Sequence, residues 1–461
     1  MKHIILSLFV IISFSVKNFA QKTLSEKELK EIRNSYDKNN TCLKAVTNAV
    51  SNNDIKKLAL NRQNIGKFDH EFKYKVNVNG ITNQKSSGRC WMFTSLNVMR
   101  PKAAETFNLP MFEYSENYLY FWDIFEKSNL FLESIIETRN KKIDDREVDW
   151  LFSNVVGDGG VWNSFTNLAE KYGLVPKEAM PETHSSENTR MMIKLIRRKL
   201  RGDALNLRNM KGTDEVLRQA KINMLKDIYK MLCINLGEPP AIFEWRYKDK
   251  DGNLTEYKKY TPESFMKESL GDIKFSDYVM LMDDPSKPYY KLYEIDKDRN
   301  ILEGKNWKFI NLPAKEIKKF ALKSLKNNEA MYFSCDVGKQ LNKDEGLLDT
   351  ENYDYESLFG VKFDMNKKER ILSHESGSTH GMALIGADTD KNGNITKWLL
   401  ENSWGKESGH SGYLTMTDRW FDEYMFRVVI PKKFIDEKTL NILKQRPVML
   451  PPWDPMFKED L

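Results

Sequence analysis

The chain has 461 residues and a mass of 54.0 kDa, is 40% hydrophobic and 30% charged, and carries a net charge of +6. That length allows a sizeable core built as two or three units, or as one large domain with insertions, and so modest a positive excess argues for neither a nucleic acid nor an acidic surface as partner. Four cysteines without close CxxC spacing argue against a disulfide scaffold and against a cysteine zinc site.

The N-terminus, MKHIILSLFVIISFSVKNFAQ, opens with a short basic start (Lys2, His3), runs apolar from Ile4 to Val16, and closes with Lys17 and an alanine, Ala20, before Gln21. This is a secretory signal pattern over residues 1–20. The run is too short to span a bilayer, which takes about 20 apolar residues. A periplasmic or secreted protein is expected, free of the membrane after cleavage; the alternative is an uncleaved N-terminal anchor. Residues 24–62 read as helical, with Leu24, Leu29 and Ile32 at helical intervals. HEFKYKVNVNGITNQ alternates like a strand and turns at Asn79-Gly80.

From Cys90 to about Phe107 the pattern is helical, because Met92, Leu96, Met99 and Ala103 fall on one face. Amphipathic helices follow over 115–147, then a glycine turn, GDGGVW, from Gly157 to Trp162. Residues 187–236 are helix-rich and basic, including Arg190, Arg197, Arg198, Arg201 and Arg208. A solvated helix face explains them better than a nucleic-acid surface, since no reader motif or stacking aromatics accompany them. A hairpin is expected around Asp251-Gly252. From about Met331 the chain is mostly strand: AMYFSCDV, HGMALIGAD, KWLLENSW, GYLTM and FRVVI. Helices first and strands last predict an α+β fold.

A cysteine nucleophile needs a thiolate, a base, a group that orients the base and a donor for the oxyanion. Cys90 sits where a polar loop, NQKSSGR, becomes a helix, and a helix N-terminus favours a thiolate. The usual fate of a free cysteine is burial in the core, and Cys42, Cys233 and Cys335 fit that better. Of the six histidines, His380 opens a strand, HGMALIGAD, where Gly381 leaves room for an approaching group. His3, His70, His184, His374 and His410 show no partner pattern. Asn402, in ENSWG, can accept from an imidazole and fix its tautomer, with Trp404 covering the bond from water. It is equally a common turn asparagine. The amide of Gln84, six residues before Cys90, can donate to an oxyanion.

The order Gln–x5–Cys–Trp, GDGG, a distant His and Asn-Ser-Trp-Gly resembles the papain-like cysteine peptidases. NQKSSGRCW, THGMALIG, ENSWGKESGHSGYLTMTDRWF and the terminal WDPM resemble bleomycin hydrolase and bacterial aminopeptidase C, with LALNR, GEPP, FSCDVGK and DEYMFRVV in support, from about Leu24 onward. The resemblance implies Cys90 as nucleophile, His380 as its base, Asn402 as the orienting group, and Gln84 with the Cys90 N–H as oxyanion hole. It implies substrate contacts at Gly159, Gly160, Trp404 and Leu461, no cofactor and no metal. Cysteines paired with histidine in this way fall to a pKa of roughly 3–4.

The implied architecture is a papain-like core, a helical subdomain facing a β-barrel-like one, with helical insertions and an oligomerisation hook. Members usually form hexamers. The expected layout is signal peptide 1–20, N-terminal helical segment 21–70, helical subdomain 71–186 with Cys90, helical and hairpin insertion 187–330, β-rich subdomain 331–450 with His380 and Asn402, and C-terminal arm 451–461. That arm is expected to cap the cleft, its terminal carboxylate holding the substrate amino group, so that peptides lose N-terminal residues. The tail here, Phe457-Lys458-Glu459-Asp460-Leu461, is bulkier and more acidic than the small neutral tails of the family. Its carboxylates lead one to expect a preference for basic N-terminal residues. The other readings are a secreted endopeptidase, a non-catalytic peptide-binding scaffold and, lower, a transglutaminase-like acyl transferase.

Overall fold

The computed structural model describes residues 23–78 and 80–457, so the expected signal peptide, Asn79 and Leu461 lie outside the described residues. The architecture is α+β: a large twelve-stranded sheet with helices packed against it. Within the sheet, the strand Met331–Cys335 lies between Met425–Pro431 and His380–Thr389, and Ile395–Glu401 and Tyr413–Thr417 follow beyond His380–Thr389. Neighbouring strands through this stretch run antiparallel.

The helix Cys90–Thr106 crosses this sheet at the level of His380–Thr389. Its expected stripe is only part of what it buries. Trp91, Phe93, Val98 and even Arg100 are buried as well, so from Trp91 to Arg100 the helix is enclosed on all sides. A helix that buries every face is a central core element rather than a surface one. Around it pack Glu116–Glu137 and Trp162–Tyr172.

The basic stretch forms two helices, Arg190–Asn209 and Asp214–Leu236. Their apolar faces, including Ile193, Ile196, Leu200, Ile228 and Leu232, are buried, and both pack on Glu116–Glu137. Several of the arginines satisfy carbonyls at the C-terminal ends of neighbouring helices: Arg201 donates to Phe152 at 3.2 Å and Arg208 to Thr138 at 3.0 Å. The hairpin forms as expected, Phe243–Trp245 against Lys258–Tyr260, with Gly252 at a φ of +89° in its turn.

The layout differs from expectation between residues 278 and 311. That stretch is not only helix and hairpin. Tyr278–Met282, Lys291–Ile295 and Lys308–Asn311 extend the main sheet beyond Met425–Pro431. The reason is visible in YVMLM, a short apolar run without alternation, which suits a strand covered on both faces and does not declare its period.

Candidate active site

The loop before Cys90 is fixed by its own backbone and by one distant strand end. The Gln84 N–H donates to the Ser403 carbonyl at 2.8 Å. The Ser403 hydroxyl donates to Gln84 Oε1 at 2.6 Å, and Gln84 Nε2 donates to the Ser87 carbonyl at 2.7 Å. One amide hydrogen of Gln84 is thus held inside the loop, and the other remains for a ligand. Lys85 takes a φ of +53°, a strained value for a non-glycine residue that the surrounding bonds maintain.

Arg89, fully buried, anchors the loop to the rest of the fold by a two-pronged pair with Glu182 at 3.1 and 2.9 Å. The GDGG turn closes the other side. Asp158 accepts from the Gly88 N–H at 3.0 Å and from Tyr120 at 2.8 Å, and its carbonyl accepts from the Trp91 indole at 2.6 Å. Gly160 lies flat on Trp91, where a Cβ would sit 2.6 Å from the ring. Lys127 holds the turn by donating to the Gly157 carbonyl at 2.9 Å and the Gly159 carbonyl at 2.5 Å. Lys127 and Asp158 are the positioning residues that the sequence did not single out. An ordinary helix lysine and an aspartate between glycines carry no signal of such roles.

Cys90 is the first residue of its helix and is half-buried. Gly381 faces it across the cleft. A side chain there would meet Thr94, Tyr332 and the Trp91 backbone at 3.2–3.6 Å, so glycine lets helix and strand approach. His380, buried, places Nε2 2.8 Å from Asn402 Oδ1. That oxygen also accepts the Ser403 N–H at 2.8 Å, which identifies it as the acceptor. Nε2 therefore carries the hydrogen, and Nδ1 is the free nitrogen of the neutral ring. Trp404 stacks on the imidazole, centroids 4.8 Å apart, and covers the bond. Behind Asn402, Glu401 forms a buried ion pair with Arg100 at 2.6 Å, and burial pushes its carboxyl up to about 7.

Burial pushes the Cys90 thiol up, against the backbone N–H groups of Gly381 and Trp91 and the charge of Arg427. Burial also pushes His380 down to about 4, against its bond to Asn402. Taken singly, then, both groups prefer to be neutral, so the lowered thiol pKa that the resemblance implies has to come from the pairing and not from either site alone. The pair forms only by moving the proton from one to the other, where mutual attraction replaces solvation.

Gln84, Cys90, Gly159, Gly160 and His380 line one cavity of about 1790 Å³. Trp404 is outside it and lines a smaller neighbouring pocket with Asn83 and Lys343. The C-terminal arm reaches the same large cavity through Pro452, Trp453 and Met456. It is held by Asp454 on Lys287 at 3.0 Å and by Arg146 over the Trp453 ring at 4.4 Å. The remaining cysteines are free. Cys335 is buried and Cys233 half-buried, but Cys42, expected in the core, is exposed on the helix Thr41–Asn52. His70 and His410 stack on each other at 4.0 Å, and His70 bonds Thr415 of the strand Tyr413–Thr417 at 2.7 Å.

The profile of the Peptidase C1-like family matches residues 23–457. Bleomycin hydrolase of Rattus norvegicus is 40% identical over 422 residues, covering 89% of this chain and 93% of the relative. Aminopeptidase C of Lactobacillus delbrueckii subsp. lactis is 39% identical over 421 residues, covering 89% and 92%. The crystal structure of PepW from Lactobacillus rhamnosis HN001 superposes with a TM-score of 0.90 at 37% identity, covering 94% of this chain and 98% of that one.

Proposed function

Because the chain belongs to the Peptidase C1-like family and is a papain-like cysteine peptidase, we propose that it is an aminopeptidase in which Cys90, His380, Asn402 and Gln84 carry the reaction. Cys90 Sγ attacks the scissile carbonyl after its proton passes to His380 Nδ1. The carbonyl oxygen becomes an oxyanion that accepts from the free Gln84 amide hydrogen and the Cys90 N–H. The imidazolium then gives its proton to the departing amine, leaving a thioester on Cys90. Water, deprotonated by His380, attacks the thioester and releases the N-terminal amino acid. The observation that carries this reading is the orientation of His380. Asn402 Oδ1, itself fixed by Ser403, takes Nε2–H at 2.8 Å and leaves the basic nitrogen for the thiol.

End selection rests on the arm. Met456 lies against the same cavity as Cys90, and the role proposed for the residues after it is to limit the cleft and to hold a substrate amino group with the Leu461 carboxylate. Trp404, Gly159 and Gly160 would frame the peptide backbone. Assembly as a homohexamer and export by residues 1–20 complete the proposal; light scattering and N-terminal sequencing of the purified protein read them directly. The test of the main claim compares a free-amine aminoacyl substrate with its N-acetylated twin under reducing conditions. Cleavage of only the free amine, abolished by Cys90→Ala, is the expected result. Equal cleavage of both would make the protein an endopeptidase, and cleavage that survives Cys90→Ala would remove the nucleophile assignment.

A further inference from the structure

One cationic group in the cleft is given no substrate contact by this mechanism, although its charge reaches Cys90. Arg427 stands on the strand Met425–Pro431, paired with Ser334, which in turn pairs with Gly381. With strands about 4.8 Å apart, its backbone is roughly 10 Å from that of Gly381 and on the same sheet face. Its side chain lines the cavity that holds Cys90, yet it is only 5% exposed. The guanidinium lies over the Trp307 ring at 4.1 Å. Its Nε has no hydrogen-bond partner, and among the described residues no carboxylate stands within ion-pair distance; the field of Asp298 reaches it from farther away. Its strand neighbours, Met282 and Ser334, are neutral.

A desolvated guanidinium without a counter-ion is costly. Stacking on an indole covers its face and leaves its N–H edge free, which is the edge that grips a carboxylate with two parallel bonds. We propose that Arg427 forms a carboxylate-binding subsite of the cleft. The carboxylate comes either from an acidic substrate residue on the N-terminal side of the scissile bond or from Glu459 or Asp460 of the chain's own tail. The tail is a candidate source because Met456 and Arg427 line the same cavity, and Glu459 and Asp460 follow Met456 by three and four positions, an extended span of roughly 10–14 Å. Arg427 gives this subsite the opposite sign to the preference for basic residues that the acidic tail alone suggests. The assignment rests on the peptidase reading of the cleft.

The experiment measures kcat/KM for free-amine substrates differing only by Glu against Gln as the N-terminal residue, the one ahead of the scissile bond. Wild type, a chain truncated after Phe457 and Arg427→Gln are compared. If substrate supplies the carboxylate, wild type prefers Glu by about ten-fold or more. If the tail supplies it, wild type is indifferent and the truncated chain acquires that preference. In both cases Arg427→Gln, made in the discriminating background, removes it. Should that variant not fold, Arg427→Lys carries the test, since it keeps the charge but loses the planar fork and lowers the ratio. Equal rates for Glu and Gln in both wild type and the truncated chain overturn the subsite while leaving the peptidase intact, as does a preference that survives substitution of Arg427. No cleavage of any member by wild type overturns the peptidase reading and the subsite with it.

Discussion

Asn402 holds His380 through a single oxygen that two N–H groups share, and this fixes which imidazole nitrogen is basic. Gln84 is pinned by four bonds but keeps one amide hydrogen for the proposed oxyanion. The two residues therefore fail differently. Gln84→Ala should lower kcat by about 10²–10³ and leave measurable activity, since one of two donors remains. Cys90→Ala should leave none. Steady-state kinetics separates the two, and equal, complete loss would deny Gln84 a role of its own. These residues were legible in the sequence because their order along the chain is a motif. Arg427 was not. Whether a residue in FRVVI faces a cleft depends on strand register and on which face the helices cover, and neither is written in four apolar neighbours.

The Cys90 helix and the GDGG turn meet with no space to spare. Trp91 is buried, its indole tied to the Asp158 carbonyl at 2.6 Å, and Gly160 lies against it. Gly160→Ala forces a methyl group to 2.6 Å from a ring that cannot retreat. The expected cost is about 1–3 kcal/mol in thermal or denaturant unfolding, with a fall in kcat/KM because the displaced helix carries Cys90. An unchanged melting curve would mean that the turn yields instead. The helix itself was expected from the recurrence of Met92, Leu96, Met99 and Ala103. Its complete enclosure was not, because period reports one face and says nothing of what covers the others. The strands between residues 278 and 311 were missed for a related reason: a run such as YVMLM fits buried helix and buried strand alike.

Across the whole molecule, the proposed nucleophile, Cys90, comes from the helical half of the chain and the proposed base, His380, from the strand-rich half, and the arm lines the cavity that both share. The α+β division was visible in the sequence, but the anchoring of the arm was not, since Lys287 and Arg146 are distant in sequence from Asp454 and Trp453. Asp454→Ala leaves Lys287 paired with Asp284 at 2.8 Å but loosens the arm, which keeps only the stacking of Arg146 on Trp453 of its two described anchors. It should raise cleavage of an N-acetylated substrate relative to the free amine, and an unchanged ratio would separate the arm from end selection. The central claim is that the two halves make one chemical unit, in which His380 converts Cys90 from a half-buried thiol into a thiolate. It is tested most directly by the pH dependence of Cys90 alkylation in wild type and in His380→Ala. Alone, the thiol is pushed up by burial and His380 is pushed down to about 4. The account predicts that wild type alkylates rapidly well below pH 7, while His380→Ala reacts only as pH rises through the alkaline range of an unassisted thiol. Coincident alkaline profiles for the two proteins would contradict it.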